Sequence, residues 1–119
     1  MSSSLSSVRD LWLADGAIEA HRFVKPSGAQ QVEQADTAGD EPIGVSLEKV
    51  ADGEEVEVVR RGGSGCLIEV ADSSASIGAI LKVDANGRGT AATAGTDRPV
   101  AVLLEAVTAA NQVVQAVLF

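Results

Sequence analysis

The chain contains nearly the same phrase twice. Residues 40–50 read DEPIGVSLEKV and residues 97–107 read DRPVAVLLEAV, with six identities in eleven positions when Asp40 is aligned with Asp97. The same alignment, continued without a gap, gives eleven identities between residues 14–56 and 71–113. Chance matches at average residue usage amount to roughly 5–10% per position. We therefore predict two copies of one structural unit; the alternative is that one strand-and-turn pattern arose twice without duplication.

Each copy has the pattern of short β-strands separated by turns. In the first phrase Ile43, Val45 and Leu47 fall on one face of a strand, because successive side chains of a strand lie on opposite sides. The dipeptides DG at 52–53 and NG at 86–87 supply the positive φ that tight hairpins require. The sequence therefore predicts an all-β chain.

A unit with one apolar face cannot bury that face alone. We therefore expect the two copies to close on one another into a small β-barrel or sandwich. The predicted organisation is an N-terminal arm over residues 1–13 and a single β domain over residues 14–119, with pseudo-repeats at about 14–59 and 71–116.

The arm is rich in serine and carries apolar side chains only at intervals. That composition is typical of a flexible segment that becomes ordered on a partner, for instance by adding a strand to the partner's sheet. The alternative is a disordered start followed by a core strand from about Leu11. Trp12 is either an anchor on the partner or a plug at one end of the barrel. The candidate contact residues are Leu5, Val8, Leu11, Trp12 and Leu13.

The last eight residues, QVVQAVLF, are apolar on both faces of the predicted strand. A strand of this kind is covered on both faces. The outward positions predicted for the first unit include Gly44 and Ser46, and the outward positions of the second include Leu103 and Val114. In so short a chain the second cover is expected to be another subunit, so a homo-oligomer is favoured over a monomer. The candidate interface residues are Leu103, Val114, Val117 and Phe119.

The charge and composition exclude several classes of protein. The net charge is −8, whereas binding to nucleic acid needs clustered Lys and Arg. No apolar stretch is long enough for a membrane helix, and the first residues lack the cationic and apolar blocks of a secretory signal. The single cysteine cannot form an intrachain disulfide, which suits synthesis in a reducing cytoplasm. We expect neither a nucleic-acid partner nor a membrane partner.

The residues that could carry chemistry are few and scattered. His21 and Cys66 are the only histidine and cysteine, and neither lies in a nucleophile motif. The run DANGRG at 84–89 resembles the start of a calcium loop, but Arg88 occupies the fifth position and Gly95 the twelfth, where a bidentate Glu belongs. A hairpin turn is the better interpretation. We expect no enzyme activity, no cofactor and no metal site.

Several short β motifs occur together in this chain. They are a glycine-led strand entry at 78–83, an Asp-x-Pro turn with its strand at 40–45 and again at 97–102, and a hairpin return at 53–58. The combination extends over about residues 16–119 and resembles the capsid decoration, or head cement, proteins of tailed bacteriophages. The second copy departs from the pattern, because its hairpin TAANQVV has lost the glycine.

The resemblance implies a structural role without catalysis. Proteins of that type bind the outer surface of an assembled phage head, commonly as trimers at symmetry axes, and stabilise contacts between subunits of the major capsid protein. The expected location is the outer capsid surface of the virion, after synthesis in the cytoplasm of the host bacterium. The implied partners are the major capsid protein and further copies of the chain itself.

Two other classes of function remain open from the sequence. A carbohydrate- or surface-binding β module of an adhesion or receptor-binding kind usually presents exposed aromatic rings, and this chain has one Trp, two Phe and no Tyr. A biotinyl or lipoyl carrier domain also has two similar halves, but it displays a lysine at a hairpin tip. The nearest candidate here, Lys49, lies at the end of a predicted strand.

Overall fold

Ten β-strands form the part of the chain that the structure, a computed structural model, describes, namely residues 9–119. Strands β1 to β5 close into one barrel, barrel 1, and strands β6 to β10 close into a second, barrel 2, with residues 61–64 as the linker. Within residues 9–119 no helix has the length and apolar character needed to cross a membrane. The strands are β1 (Arg9–Ala14), β2 (Phe23–Gly28), β3 (Gln31–Gln34), β4 (Gly44–Ser46), β5 (Glu55–Arg60), β6 (Gly65–Val70), β7 (Ile80–Val83), β8 (Gly89–Ala91), β9 (Ala101–Leu103) and β10 (Gln112–Leu118).

The two barrels have the same strand order. Barrel 1 runs β1-β3-β2-β4-β5 and barrel 2 runs β6-β8-β7-β9-β10 around the closed sheet. Val24 lies opposite Gly44, and Leu81 lies opposite Ala101, the pair that the sequence repeat aligns with those two residues. The structure therefore confirms the all-β fold and the duplicated unit.

Each unit closes on itself, although the sequence predicts that the two units close on one another. In each barrel the first strand pairs antiparallel with the last strand and parallel with the third. In barrel 1 the five strands thus satisfy one another's backbone edges without the other unit. The interior of barrel 1 is a separate apolar cluster of Ala14, Ile18, Val24, Val32, Val50, Val56 and Val58.

The first and last strands of the two barrels do not follow the constant spacing of 57 residues that relates the two repeats; each departs from it by one position. Val45 pairs with Val59 in barrel 1, whereas Val102 pairs with Val117 in barrel 2. The sequence repeat aligns Val45 with Val102 but Val59 with Ala116, so β10 lies one position later than the repeat predicts. The first strands shift the other way, and β6 lies one position earlier relative to β1. Equivalent positions in the two barrels follow these strand registers rather than one constant displacement.

The boundaries of the repeats also differ from the predicted ones. The barrels extend over residues 9–60 and 65–118, because β1 begins at Arg9. Residues 9–13 of the predicted arm therefore belong to a barrel strand. The remainder of the predicted arm, residues 1–8, lies outside the described residues.

The predicted outward face of β4 lies inside barrel 1. Ser46 is fully buried, and its hydroxyl donates to the carbonyl of Glu19 at 2.6 Å. At Gly44 a Cβ atom would lie 2.1 Å from the carbonyl oxygen of Val59, so glycine is required for this close approach. The outward assignment of Gly44 and Ser46 is wrong. Alternation separates the two faces of a strand, but here the opposite face, which carries Val45, packs against barrel 2.

An ion pair fastens the same turn in both barrels. Lys25 Nζ lies 3.0 Å from Asp40 Oδ2, and Lys82 Nζ lies 3.2 Å from Asp97 Oδ2. The backbone N–H of Thr93 also donates to Asp97 Oδ2 at 2.8 Å. The prolines of both turns lie two residues before β4 and β9. The Asp-x-Pro turns therefore occupy equivalent places, as the repeat predicts.

The Asp97 turn makes part of the stability dependent on pH. The N–H of Thr93, and then Lys82, hold the pKa of Asp97 below its ordinary value of 3.8. A lowered carboxyl pKa gives stability that is present above the ordinary value and is lost as the pH falls through the lowered pKa. We expect Asp97→Asn to melt at a lower temperature than the wild type at pH 7, and the difference to disappear below pH 3.8 as Asp97 protonates. A difference in melting temperature that stays constant from pH 7 to pH 2 would contradict this account.

Candidate contact surfaces

One outer face of barrel 1 is buried against barrel 2. Its side chains belong to the same hydrophobic cluster as the interior of barrel 2, and Phe23, the largest of them, is fully buried. Complete burial of such side chains contributes roughly 1.5–3 kcal/mol each. We call this set the docking face; it consists of Phe23, Ala35, Val45, Leu47 and Val59.

Barrel 2 has a seam between β6 and β8, and barrel 1 fills it. These two strands pair at one position only, and residues 21–23 of barrel 1 lie alongside. The N–H of Glu69 donates to the carbonyl of His21 at 3.0 Å, and the N–H of Phe23 donates to the carbonyl of Gly87 at 2.7 Å. The backbone of barrel 1 therefore completes the hydrogen bonding of barrel 2.

The corresponding seam of barrel 1 closes directly. Leu13 and Gln30 stand at the places of Glu69 and Gly87, and the N–H of Leu13 donates to the carbonyl of Gln30 at 2.9 Å. β1 and β3 pair at two positions rather than one. One direct bond in barrel 1 is thus replaced in barrel 2 by two bonds through residues 21–23.

Two backbone conformations allow the barrels to approach so closely. His21 has a φ of 61°, the left-handed region that is uncommon for residues other than glycine. At Gly87 a Cβ atom would lie 3.0 Å from the carbonyl oxygen of Ala35, which is tighter than ordinary packing. The single histidine and the Asn-Gly turn therefore serve the junction between the barrels through their backbones.

Charged side chains of opposite sign meet across the junction. Arg22 Nη2 lies 3.2 Å from Glu69 Oε2, and the two side chains are only 15% and 17% exposed. At another edge Glu41 lies 3.2 Å from Arg61 and 3.3 Å from Arg98. Burial opposes ionisation of Glu41, but the two arginines outweigh it and lower the pKa of Glu41. A displaced contact would leave Arg22 or Glu69 without its partner, which is costly because both side chains are largely buried.

Large apolar side chains remain exposed on two outer surfaces. On β1 of barrel 1, Leu11 is 66% exposed and Leu13 is 43% exposed. On barrel 2, Leu67, Leu104 and Val113 are each about two-fifths exposed. Grouped apolar side chains at a surface are typical of protein contacts.

The candidate arm residues divide between the two sides of β1. Leu11 and Leu13 are exposed, whereas Trp12 packs against the interior cluster of barrel 1. Of the two alternatives for Trp12, the structure favours the plug, because alternate residues of a strand lie on opposite sides. Its Nε1 is buried and has no hydrogen-bond partner among the described residues. Leu5 and Val8 lie outside the described residues.

Two of the four candidate interface residues are wrong. Leu103 and Val114 are 1% and 0% exposed and lie in the apolar cluster of barrel 2, so they are not accessible to a second subunit. The one-position shift of β10 turns Val114 inward. Phe119 is 45% exposed and Val117 is partly exposed, so these two residues remain candidates.

The chemical candidates of the sequence have structural roles. Burial raises the pKa of the Cys66 thiol to about 12, so it stays protonated at neutral pH. Asp84 Oδ1 accepts hydrogen bonds from the N–H groups of Asn86 and Arg88, both at 2.8 Å, which confirms the hairpin turn at that run. Within residues 9–119 no group of three or more His, Cys, Asp or Glu side chains is placed to hold a metal ion.

Comparison with known proteins assigns the chain to a family. The model of a phage cement protein family matches residues 7–118, nearly the whole chain. The chain belongs to the phage cement protein family. The resemblance drawn from the sequence motifs is thereby confirmed, and this cement protein has a structural role associated with the phage capsid.

A solved structure shares the fold of this cement protein. It is the crystal structure of the N base of the head fiber gp8.5 of bacteriophage phi29, with a TM-score of 0.72, 17% sequence identity, and coverage of 96% of this chain and 95% of that one. At this identity the likeness concerns the fold. No curated protein matches the chain.

The sequence does not predict the docking face, although three of its apolar residues are repeated. Ala35, Val45 and Leu47 are identical in the two repeats, but a repeated apolar pattern does not show whether it lines an interior or covers an exterior. The exterior role depends on the barrel that lies against it.

The position of Trp12 predicts the effect of its removal. We expect Trp12→Ala to lower the free energy of unfolding by about 2–4 kcal/mol, because truncation of a large core aromatic leaves a cavity. Leu11→Ala is the matched control on the neighbouring, exposed position, and we expect a change within about 0.5 kcal/mol. Urea unfolding measures both. Equal effects of the two substitutions would show that Trp12 is not part of the barrel 1 core.

Proposed function

We propose that this cement protein binds the outer surface of a tailed-phage head and stabilises contacts between subunits of the major capsid protein. The family match over residues 7–118 is the observation that supports this most strongly. The proposed role is not enzymatic. It places the protein on the virion after synthesis in the host cytoplasm, with no nucleic-acid or membrane partner.

The proposed mechanism is physical. A protein that bridges neighbouring coat subunits adds buried area to the shell, and modest contacts repeated many times produce a large collective stability through avidity. The net charge of −8 keeps such a protein soluble and away from the genome. We propose a homo-oligomer, a trimer by the family resemblance, because several linked copies bind the shell more tightly than one.

The proposed capsid contact is the N-terminal segment with the adjoining end of β1. Leu11 is the most exposed large apolar side chain of barrel 1, and the chain before Arg9 carries Leu5 and Val8 at wide spacing. In the proposed contact, these apolar side chains bind the coat protein next to the first strand of barrel 1.

The described surface gives little support to the rival functions. Trp12 packs inward and Phe23 is fully buried, which leaves Phe119 as the exposed aromatic side chain among the described residues. A sugar-binding surface usually has more rings to stack on. Lys49 precedes the turn at residues 51–54 rather than forming its tip, as a carrier lysine would.

The head-binding proposal is tested with undecorated heads and purified protein. The double variant Leu5→Ser and Val8→Ser keeps the length of the segment and removes its two apolar anchors. We expect it to bind heads roughly thirty- to a thousandfold more weakly, since each of the two anchors contributes on the order of 1–2 kcal/mol. The variant Ser4→Ala with Ser7→Ala is the matched control and should bind as the wild type does.

Cryo-electron microscopy of the mixtures measures occupancy on the heads, and thermal melts verify that both variants fold. Wild-type binding with equal occupancy of the double variant would contradict the contact assigned to the N-terminal segment. No binding of the wild type to any head that lacks its cement protein would contradict the proposed function itself.

A further inference from the structure

Barrel 2 carries a counterpart of the docking face. At the strand registers of the two barrels, all five positions are apolar in both, and four of them carry the same residue, namely one Ala, two Val and one Leu. The counterpart, which we call the open face, consists of Ile80, Ala92, Val102, Leu104 and Val117.

The two faces differ in what covers them. Phe23, Val45 and Val59 of the docking face are at most 1% exposed, because barrel 2 lies against them. On the open face Leu104 is 40% exposed, and the other four side chains are partly exposed. Within residues 9–119 there is no third barrel to cover the open face as barrel 2 covers the docking face.

The segment that fills the seam of barrel 2 also has a counterpart. Gly78 stands at the place of His21, and both residues have a left-handed backbone, with φ of 88° and 61°. The N–H of His21 donates to the carbonyl of Ser46, and the N–H of Gly78 donates to the carbonyl of Leu103, each at 2.9 Å. Residues 78–80 therefore have the conformation that residues 21–23 use to join a neighbouring barrel.

The charged pair of the junction changes as a pair. Arg22 of barrel 1 meets Glu69 of barrel 2; at the equivalent places stand Ala79 in barrel 2 and Leu13 in barrel 1. Replacing only one member would leave a charge without a partner, whereas replacing both by apolar residues keeps the two sites compatible. Ala79 and Leu13 are therefore compatible as contact partners, both being apolar, just as Arg22 and Glu69 are compatible by opposite charge. Ala79 lies on barrel 2 and Leu13 on barrel 1 of the same chain.

From these observations we infer that the open face of barrel 2 binds barrel 1 of a second copy of this chain, at the seam between β1 and the β2–β3 hairpin. Ala79 of one copy then lies against Leu13 of the other. Residues 78–80 would replace the direct bond from Leu13 to Gln30 by two bonds, as residues 21–23 do in barrel 2. This inference rests on the proposed homo-oligomer and assigns its contact surfaces.

The contact joins two different surfaces and is therefore heterologous. Such a contact repeats head to tail and closes into a ring when the rotation between copies allows it. A ring of this kind would continue around the oligomer the same barrel-to-barrel junction that exists inside each chain.

Light scattering and sedimentation of the purified protein over a concentration series test the contact without phage heads. We expect the wild type to form oligomers, and Leu104→Glu and Leu13→Glu each to remain at the monomer mass of 12.1 kDa. Val113→Glu is the matched control: Val113 is 39% exposed, like Leu104, and Glu55 stands at its place in barrel 1. This control should form oligomers as the wild type does.

A mixture of the two variants distinguishes a head-to-tail contact from a symmetric one. Leu104→Glu retains an intact seam and Leu13→Glu retains an intact open face, so an equal mixture has one working contact and should give particles of twice the monomer mass. Recovery in the mixture also shows that both variants are folded. A monomeric wild type at every concentration, oligomers in either single variant, or a mixture that stays monomeric would overturn the inference. Head binding by the arm is measured separately, so its failure is not confused with failure of this contact.

Discussion

The packing of the docking face of barrel 1 against the seam of barrel 2 is the contact on which the rest of the structure depends. Barrel 1 has an apolar interior of its own, but the cluster that fills barrel 2 also includes Phe23 and its neighbours from barrel 1. The backbone shows the same dependence, because β6 and β8 pair at one position and residues 21–23 supply the adjacent hydrogen bonds. Buried apolar area and satisfied backbone groups therefore coincide at one junction, and the ion pair of Arg22 with Glu69 fixes how the two barrels meet.

This junction relates the fold to the role of a cement protein. In the proposed role the protein must transmit load between its contacts with the shell, and a shared core between barrels does so better than a loose linker would. Duplication of one barrel leaves a docking face that is covered in the first copy and an open face, its counterpart, in the second. In the proposed contact, association with other chains would be a consequence of the repeat, whereas the proposed capsid contact lies at the N-terminal segment.

Local signals in the sequence were sufficient for the all-β class, the turns and the duplication. The Asp-x-Pro turns, the hairpin at Asp84 and the repeated strand of Val45 each depend on residues close in sequence, whose preferences act before tertiary packing. Local signals did not predict which face of each strand lies in the interior of a barrel. Alternation groups Gly44 with Ser46, but only the close approach of β5 and the presence of barrel 2 decide which face is interior. Likewise, one added residue before β10 turns Val114 inward, and an ungapped alignment of the two repeats conceals that shift.

The most direct measurement is the folding of barrel 2 without barrel 1. Residues 61–119 contain all five strands of barrel 2 but lack Phe23 and the backbone of residues 21–23. If the junction completes barrel 2, this fragment should give a poorly dispersed two-dimensional NMR spectrum and no cooperative thermal transition. The full chain should give a dispersed spectrum and one transition. A fragment with dispersed resonances and cooperative melting would show that barrel 2 closes by itself, and it would contradict the dependence of the fold on the docking face.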